Sequence, residues 1–145
     1  MPAPGLSEAE YRELADFRYQ IRRFLHFSEG AALEEGIEPR QHQALLAIKA
    51  LPPDQACTIG ALAERLFLRH QSTVELVDRL ERRRLVSRAP GRKDARQVIV
   101  RITREGESIL RRLSLTHRTE LEDRAPELAR ALRAIMRRAK SEQES

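Results

Sequence analysis

This chain of 145 residues has one cysteine, and that scarcity excludes two kinds of scaffold at once. Cys57 alone can close no internal disulfide and can make no CxxC site. Aromatic residues are 4% of the sequence against 34% charged, the balance of a helical protein that stays in water. No apolar run approaches the roughly 18 residues needed to span a bilayer. The first residues, MPAPGLSEAE, have neither the basic start nor the apolar centre of a signal peptide, so the expected compartment is the cytoplasm. Also missing are a P-loop, a GxSxG elbow, an HExxH pair and a glycine-rich dinucleotide turn, so no enzyme activity is expected. The histidines, His26, His42, His70 and His117, are far apart in sequence, and neither a metal site nor a cofactor is expected from them.

What is present is concentrated between residues 58 and 103. Ile59, Leu62, Ala63 and Leu66 form one short helical pattern, and Val74, Leu76, Val77 and Leu80 form a second. Only the stretch from Phe67 to His70 separates them, the spacing of a helix-turn-helix. Leu85, Val86, Ser87 and Arg88 follow, then a Pro90-Gly91 turn signal, then Val98, Val100 and Ile102 at alternating positions. These features predict a β-hairpin with a long basic tip. A helix pair followed by a hairpin is a winged helix, and the fold class expected is mainly α with that small β wing.

Local chemistry marks the flanking elements. Ser7 and Glu10 have capping-box spacing, and Leu14, Phe17, Ile21 and Phe24 recur at intervals of three and four, predicting a helix over residues 7–32 about 39 Å long. Gly36 is a stop, Pro39 suits the first turn of a second helix, and Pro52-Pro53 ends it. Thr58 caps the first helix of the central pair. Thr103 caps a long helix after the hairpin, with Glu105 and Glu107 near its positive end, and Pro126 is expected to open a separate last helix. Cys57 is read as a small, half-buried residue in a strand before Thr58, the alternative being a redox-sensing thiol; no basic residue within three positions would lower its pKa. The domain reading is an N-terminal dimerisation helix at 1–33, a reading lobe at 34–103 and C-terminal dimerisation helices at 104–145, integrated into one domain. Long amphipathic helices at both ends most simply pack on each other and on a second copy, so a homodimer is expected.

Charge singles out the centre. Residues 69–104 carry eleven Lys or Arg and four Asp or Glu, an excess of seven in a chain whose net charge is +5. A localised excess of this kind is the footprint of phosphate binding. The N-terminal part of a reading helix normally enters the major groove, which nominates Arg69, His70, Gln71, Ser72 and Glu75, with Arg79 at the edge of the same face. Gln71 can pair two ways with adenine and Arg69 with guanine. Glu75 is either a reader of the cytosine amino group or simply solvated. In the hairpin, Arg92, Lys93 and Arg96 surround Asp94, which reads as a brace for the loop. An arginine held at such a tip can enter a narrow minor groove. Arg88 and Arg101, one on each strand, are candidate phosphate contacts or mutual spacers.

In this order, TIGALAERL, STVELVDRLERRRLV, and the wing motif Asp94-Ala95-Arg96 followed by VIVRIT-REG resemble the MarR family of bacterial transcription regulators, named for multiple antibiotic resistance. The resemblance implies a homodimer whose terminal helices interlock and whose two winged helices read a pseudo-palindromic operator in double-stranded DNA. Most such proteins repress, and many release DNA when a small, often aromatic, effector binds. By position, Asp94 would fix the wing and Arg96 would probe the minor groove. An effector site in the seam between the terminal and second helices would be lined by Phe17, Ile21, Phe24, His42, Leu45 and His117, with Arg18 or Arg22 meeting an anionic group; these residues serve equally as ordinary core. The chain departs from the family at two positions. Arg84 stands where a glycine usually precedes the wing, so the helix there either turns left-handed or ends otherwise, and Arg69 replaces a frequent capping serine. The competing reading is a winged-helix interaction module that docks on an acidic protein.

Overall fold

The computed structural model describes residues 5–145. The elements run α1 (Glu8–Glu34), α2 (Pro39–Ala50), α3 (Ile59–Leu66), α4 (His70–Arg82), β1 (Val86–Pro90), β2 (Val98–Ile102) and α5 (Arg104–Glu144). This is the winged helix-turn-helix expected, with a two-stranded antiparallel wing and long helices at either end.

The helix ends follow from side-chain chemistry. Ser7 and Glu10 make the reciprocal capping box: the Ser7 amide donates to the Glu10 carboxylate, and the Glu10 amide donates to the Ser7 hydroxyl at 3.2 Å. Gly36 ends the α1 region with φ +77, a left-handed conformation that glycine adopts without steric cost. Pro39 occupies the first turn of α2, where its missing N–H is no loss. The Thr58 hydroxyl accepts from the Ala61 amide at 3.2 Å and starts α3. The Thr103 hydroxyl accepts from the Gly106 amide at 3.1 Å and starts α5.

Two expectations are corrected. Pro126 does not open a new helix: α5 runs through it for 41 residues, about 60 Å at 1.5 Å per residue. Proline's fixed φ suits an α-helix, so the helix forgoes one amide donor at that turn and continues. Cys57 lies in no strand; its carbonyl makes a single rung, accepting from the Val100 amide of β2 at 2.8 Å.

Two compact units result, one from residues up to Gly30 with Thr116–Ser145, the other from Ala31–Leu115. In the terminal unit, Arg138 makes two hydrogen bonds to the Glu13 carboxylate at 2.8 and 2.9 Å, and Arg23 donates to Glu127 at 2.6 Å. The hydrogen bond from Arg138 holds the Glu13 carboxyl below its usual range. Five of the six aromatic residues, among them Tyr11 and Tyr19, lie on α1. Tyr11, Leu14, Tyr19, Leu25, Leu132 and Met136 of this unit are exposed.

The winged lobe is closed by aliphatic residues. Leu45 of α2, Leu62 of α3, Val77 and Leu80 of α4, Val86 of β1, Val100 of β2 and Leu113 of α5 are all almost wholly buried. Both helices of the central pair end on a non-glycine residue in the left-handed region: Phe67 at φ 53 after α3, and Arg84 at φ 61 after α4. The capping bonds are alike, Leu68 N–H to Ala63 carbonyl and Leu85 N–H to Leu80 carbonyl, each 3.0 Å. Arg84 thus takes the left-handed option, at a cost of about 1–2 kcal/mol.

Beyond Arg84 the chain is pinned to the start of α5. The Thr103 hydroxyl donates to the Arg84 carbonyl at 2.7 Å, and the Thr103 amide donates to the Leu85 carbonyl at 3.0 Å. A Cβ on the buried Gly106 would fall well inside van der Waals contact of the Leu85 carbonyl oxygen and 2.8 Å from Ile102 Cγ1. Gly106→Ala is therefore expected to lower stability by about 3 kcal/mol, as in overpacked cores, read from the urea midpoint. Arg84→Gly is expected to raise it by about 1 kcal/mol in the same measurement, because glycine relieves the left-handed backbone and loses some of that gain to its own entropy.

Candidate nucleic-acid interface

α4 turns one face into the lobe and the other outward. Thr73, Leu76, Val77 and Leu80 are buried, so the rest of the helix points outward. Arg69, His70, Gln71, Glu75 and Arg79 are exposed, and Ser72 is half-buried. Arg69 occupies the cap position without a side-chain cap bond, so its guanidinium stays free; its carbonyl accepts instead from the Thr73 hydroxyl at 3.0 Å. Arg79 reaches Glu38 at 3.1 Å.

The wing pairs Val86 with Ile102, Arg88 with Val100 and Pro90 with Val98. Its tip is built on backbone bonds: the Gly91 amide donates to the Gln97 carbonyl at 2.9 Å, and the Gln97 amide to the Asp94 carbonyl at 3.1 Å. A Cβ on Gly91 would lie 2.7 Å from that Asp94 oxygen, so the approach needs glycine. The Asp94 carboxylate accepts from the Arg96 amide at 3.0 Å and from its Nε at 3.3 Å. The acid folds the loop while the Arg96 side chain remains 93% exposed. Arg92 and Lys93 beside it are exposed too.

Arg88 has a different place from the one its sequence position suggested. It donates to Asp78 at 2.6 Å and to Glu81 at 3.0 Å, with its side chain only 25% exposed. Burial alone would disfavour its charge, but the two carboxylates outweigh that and hold its pKa above the ordinary arginine value. It bolts the wing to α4 with both acids as partners. Of the eleven cations between residues 69 and 104, Arg69, Arg82, Arg84, Arg92, Lys93, Arg101 and Arg104 make no ion pair among the described residues. Exposed cations left without intramolecular partners are available to external anions.

The residues nominated for an effector site are divided between the units. In the terminal unit the His117 ring meets Phe24 and Phe27 edge-on, centroids 5.9 and 5.5 Å away, and its Nε2 lies 2.7 Å from the Ser28 hydroxyl. Phe17 is half-buried, whereas Arg18, Ile21 and Arg22 are on the exposed side of α1. In the lobe, His42 and Leu45 are buried. A groove of about 540 Å³ in the lobe is lined instead by Leu46, Lys49, Arg104, Glu107, Leu110 and Arg111, none of them nominated from sequence. Phe67, in the turn between α3 and α4, is not among the nominated residues either; the signal available was an aromatic side chain between two helical patterns.

A cationic wing beside an outward-facing helix that follows a tight turn defines the class: a winged helix-turn-helix. Within that class, the MarR family model matches residues 35–97 of this chain. The fold is similar over 96% of this chain and 99% of the other to AbsC, a MarR family transcriptional regulator from Streptomyces coelicolor, at 18% identity and a TM-score of 0.72. A MepR variant from Staphylococcus aureus bound to an oligodeoxyribonucleotide matches 88% of this chain and 94% of its own, at 18% identity and 0.64. CouR from Rhodococcus jostii bound to p-coumaroyl-CoA matches 86% and 79%, at 21% and 0.61. No curated protein matches the chain. Among the described residues no helix is long and apolar enough to cross a membrane.

Burial pushes the Cys57 thiol up to about 11. The reactive thiolate is thereby depleted about a hundredfold at neutral pH relative to an ordinary cysteine, which counts against redox sensing. Iodoacetamide labelling of the folded protein is expected to be slow at pH 8 and to accelerate up to about pH 11. Rapid labelling at pH 7 would restore the sensing role.

Proposed function

We propose that the protein is a sequence-specific regulator of transcription that binds double-stranded DNA as a homodimer, with α4 in the major groove and the wing tip along the minor groove. The observation that carries this reading is the exposed Arg96, whose backbone and Nε are tied to Asp94 while its guanidinium projects from the hairpin with Arg92 and Lys93. Arg69, His70, Gln71, Ser72 and Glu75 are the base-reading set, with Arg79 beside them. The exposed apolar residues of the terminal unit support pairing with a second copy, since each would otherwise remain in water. MepR holds an oligonucleotide on this fold, which supports the duplex as partner.

Repression relieved by a small molecule is the regulatory reading, with the regulator working in the cytoplasm. CouR holds an anionic aromatic thioester, p-coumaroyl-CoA. The lobe's groove, apolar at Leu46 and Leu110 and cationic at Lys49, Arg104 and Arg111, has the chemistry for an effector of that kind.

Duplexes selected from a random pool should contain half-sites about one helical turn apart, and affinity by fluorescence anisotropy should fall steeply with salt as phosphates lose their counterions. Arg96→Ala is expected to weaken binding by about 1–3 kcal/mol. Unchanged affinity would remove Arg96 from the groove. Equal competition by random and selected DNA would favour an acidic protein as the partner.

A further inference from the structure

The lobe between Ala31 and Leu115 contains one aromatic residue, and it is not in the core. Phe67 is 96% exposed, whereas the lobe's large buried apolar side chains are all aliphatic. It also holds the left-handed conformation, φ 53 and ψ 41, at the end of α3. Two penalties therefore coincide at one position, a large apolar surface in water and a backbone that favours glycine; capping hydrogen bonds hold the backbone, but the ring is not buried within the lobe. Strain concentrated in this way marks positions kept for what they touch outside the fold.

Its place narrows what that is. Phe67 precedes the first residue of α4 by three positions and stands between Arg65 and Arg69, both exposed and neither ion-paired among the described residues. Phe67 thus stands in the arginine-flanked turn that leads into the reading helix. An exposed apolar side chain with an exposed arginine two positions to either side fits the edge of a duplex, where phosphates alternate with apolar patches. In the major groove the apolar group that carries sequence information is the thymine 5-methyl. Resting on the proposed function above, we infer that Phe67 is a specificity-determining residue whose ring packs on a thymine methyl group at the edge of each half-site.

The test uses the full chain and a selected operator whose thymines are replaced one at a time by deoxyuridine, which removes the methyl and leaves base pairing intact. A single replacement in one half-site is expected to weaken the unmodified protein about fourfold, the value of exposing one methyl group, and one replacement in each of the two half-sites about fifteenfold. Phe67→Gly and Phe67→Ala should bind the thymine and deoxyuridine operators equally, at the affinity of the unmodified protein for the deoxyuridine operator. Phe67→Gly should melt no lower than the unmodified protein, so that lost discrimination is not lost folding. Indifference of the unmodified protein to every replacement, or full methyl sensitivity in Phe67→Gly, overturns the inference. A change of oligomeric mass in both variants also overturns it, by assigning the ring to a contact between copies. If no duplex is selected at all, the proposed function fails; if Arg96→Ala weakens binding while both Phe67 variants bind unaltered, only this inference does.

Discussion

Where α4 gives way to the wing, the chain leaves at Arg84 and Leu85 and returns at Thr103 and Gly106, and the two crossings touch backbone to backbone. Thr103 donates twice across this junction, once from its hydroxyl and once from its amide, and Gly106 leaves the space that the Leu85 carbonyl occupies. The base of the hairpin, the end of α4 and the first turn of α5 are set by that one approach. A side chain at 106 would move all three, because packed interiors transmit displacement rather than absorb it.

The same junction explains how charge is distributed. With the hairpin base fixed, Arg88 faces Asp78 and Glu81 and is engaged within the fold as a bolt. The cations that make no ion pair among the described residues include Arg69 before α4 and Arg92 and Lys93 on the tip, where Arg96 is also exposed. Asp94 adds negative charge near the tip, but it is engaged in folding the loop and leaves the guanidinium of Arg96 outermost. Neutralisation inside and exposure outside arise from one pattern of ion pairing.

Features that depend on neighbours in sequence were readable before any coordinates. The Ser7 capping box, the Gly36 stop, Pro39 in a first turn, the Thr58 and Thr103 caps and the buried face of α4 each rest on interactions spanning four residues or fewer, or on helical periodicity. Interactions that depend on tertiary approach were not. Arg88 lies seven and ten residues from its acids, and nothing in a β-strand pattern names them. Pro126 was read as a helix start because an isolated proline is a good breaker, yet α5 tolerates the lost donor and continues. Phe67 is masked for another reason: the usual glycine signal is absent there, whereas at Arg84 the missing glycine itself points to the left-handed end as one of two options, and both turns are kept by their capping bonds. The groove beside Leu46 and Lys49 combines residues from α2 and α5, and the nominated effector set did not include it.

The uneven placement of aromatic rings has an optical consequence. Tryptophan is absent and both tyrosines lie on α1, where each is more than half exposed, so tyrosine emission originates entirely from that helix. The winged lobe holds only the weakly emitting ring of Phe67. Tyrosine fluorescence and backbone circular dichroism therefore follow different parts of the molecule during melting: coincident curves would mean that the lobe and the terminal helices lose structure as one cooperative body, and separated curves that they do not.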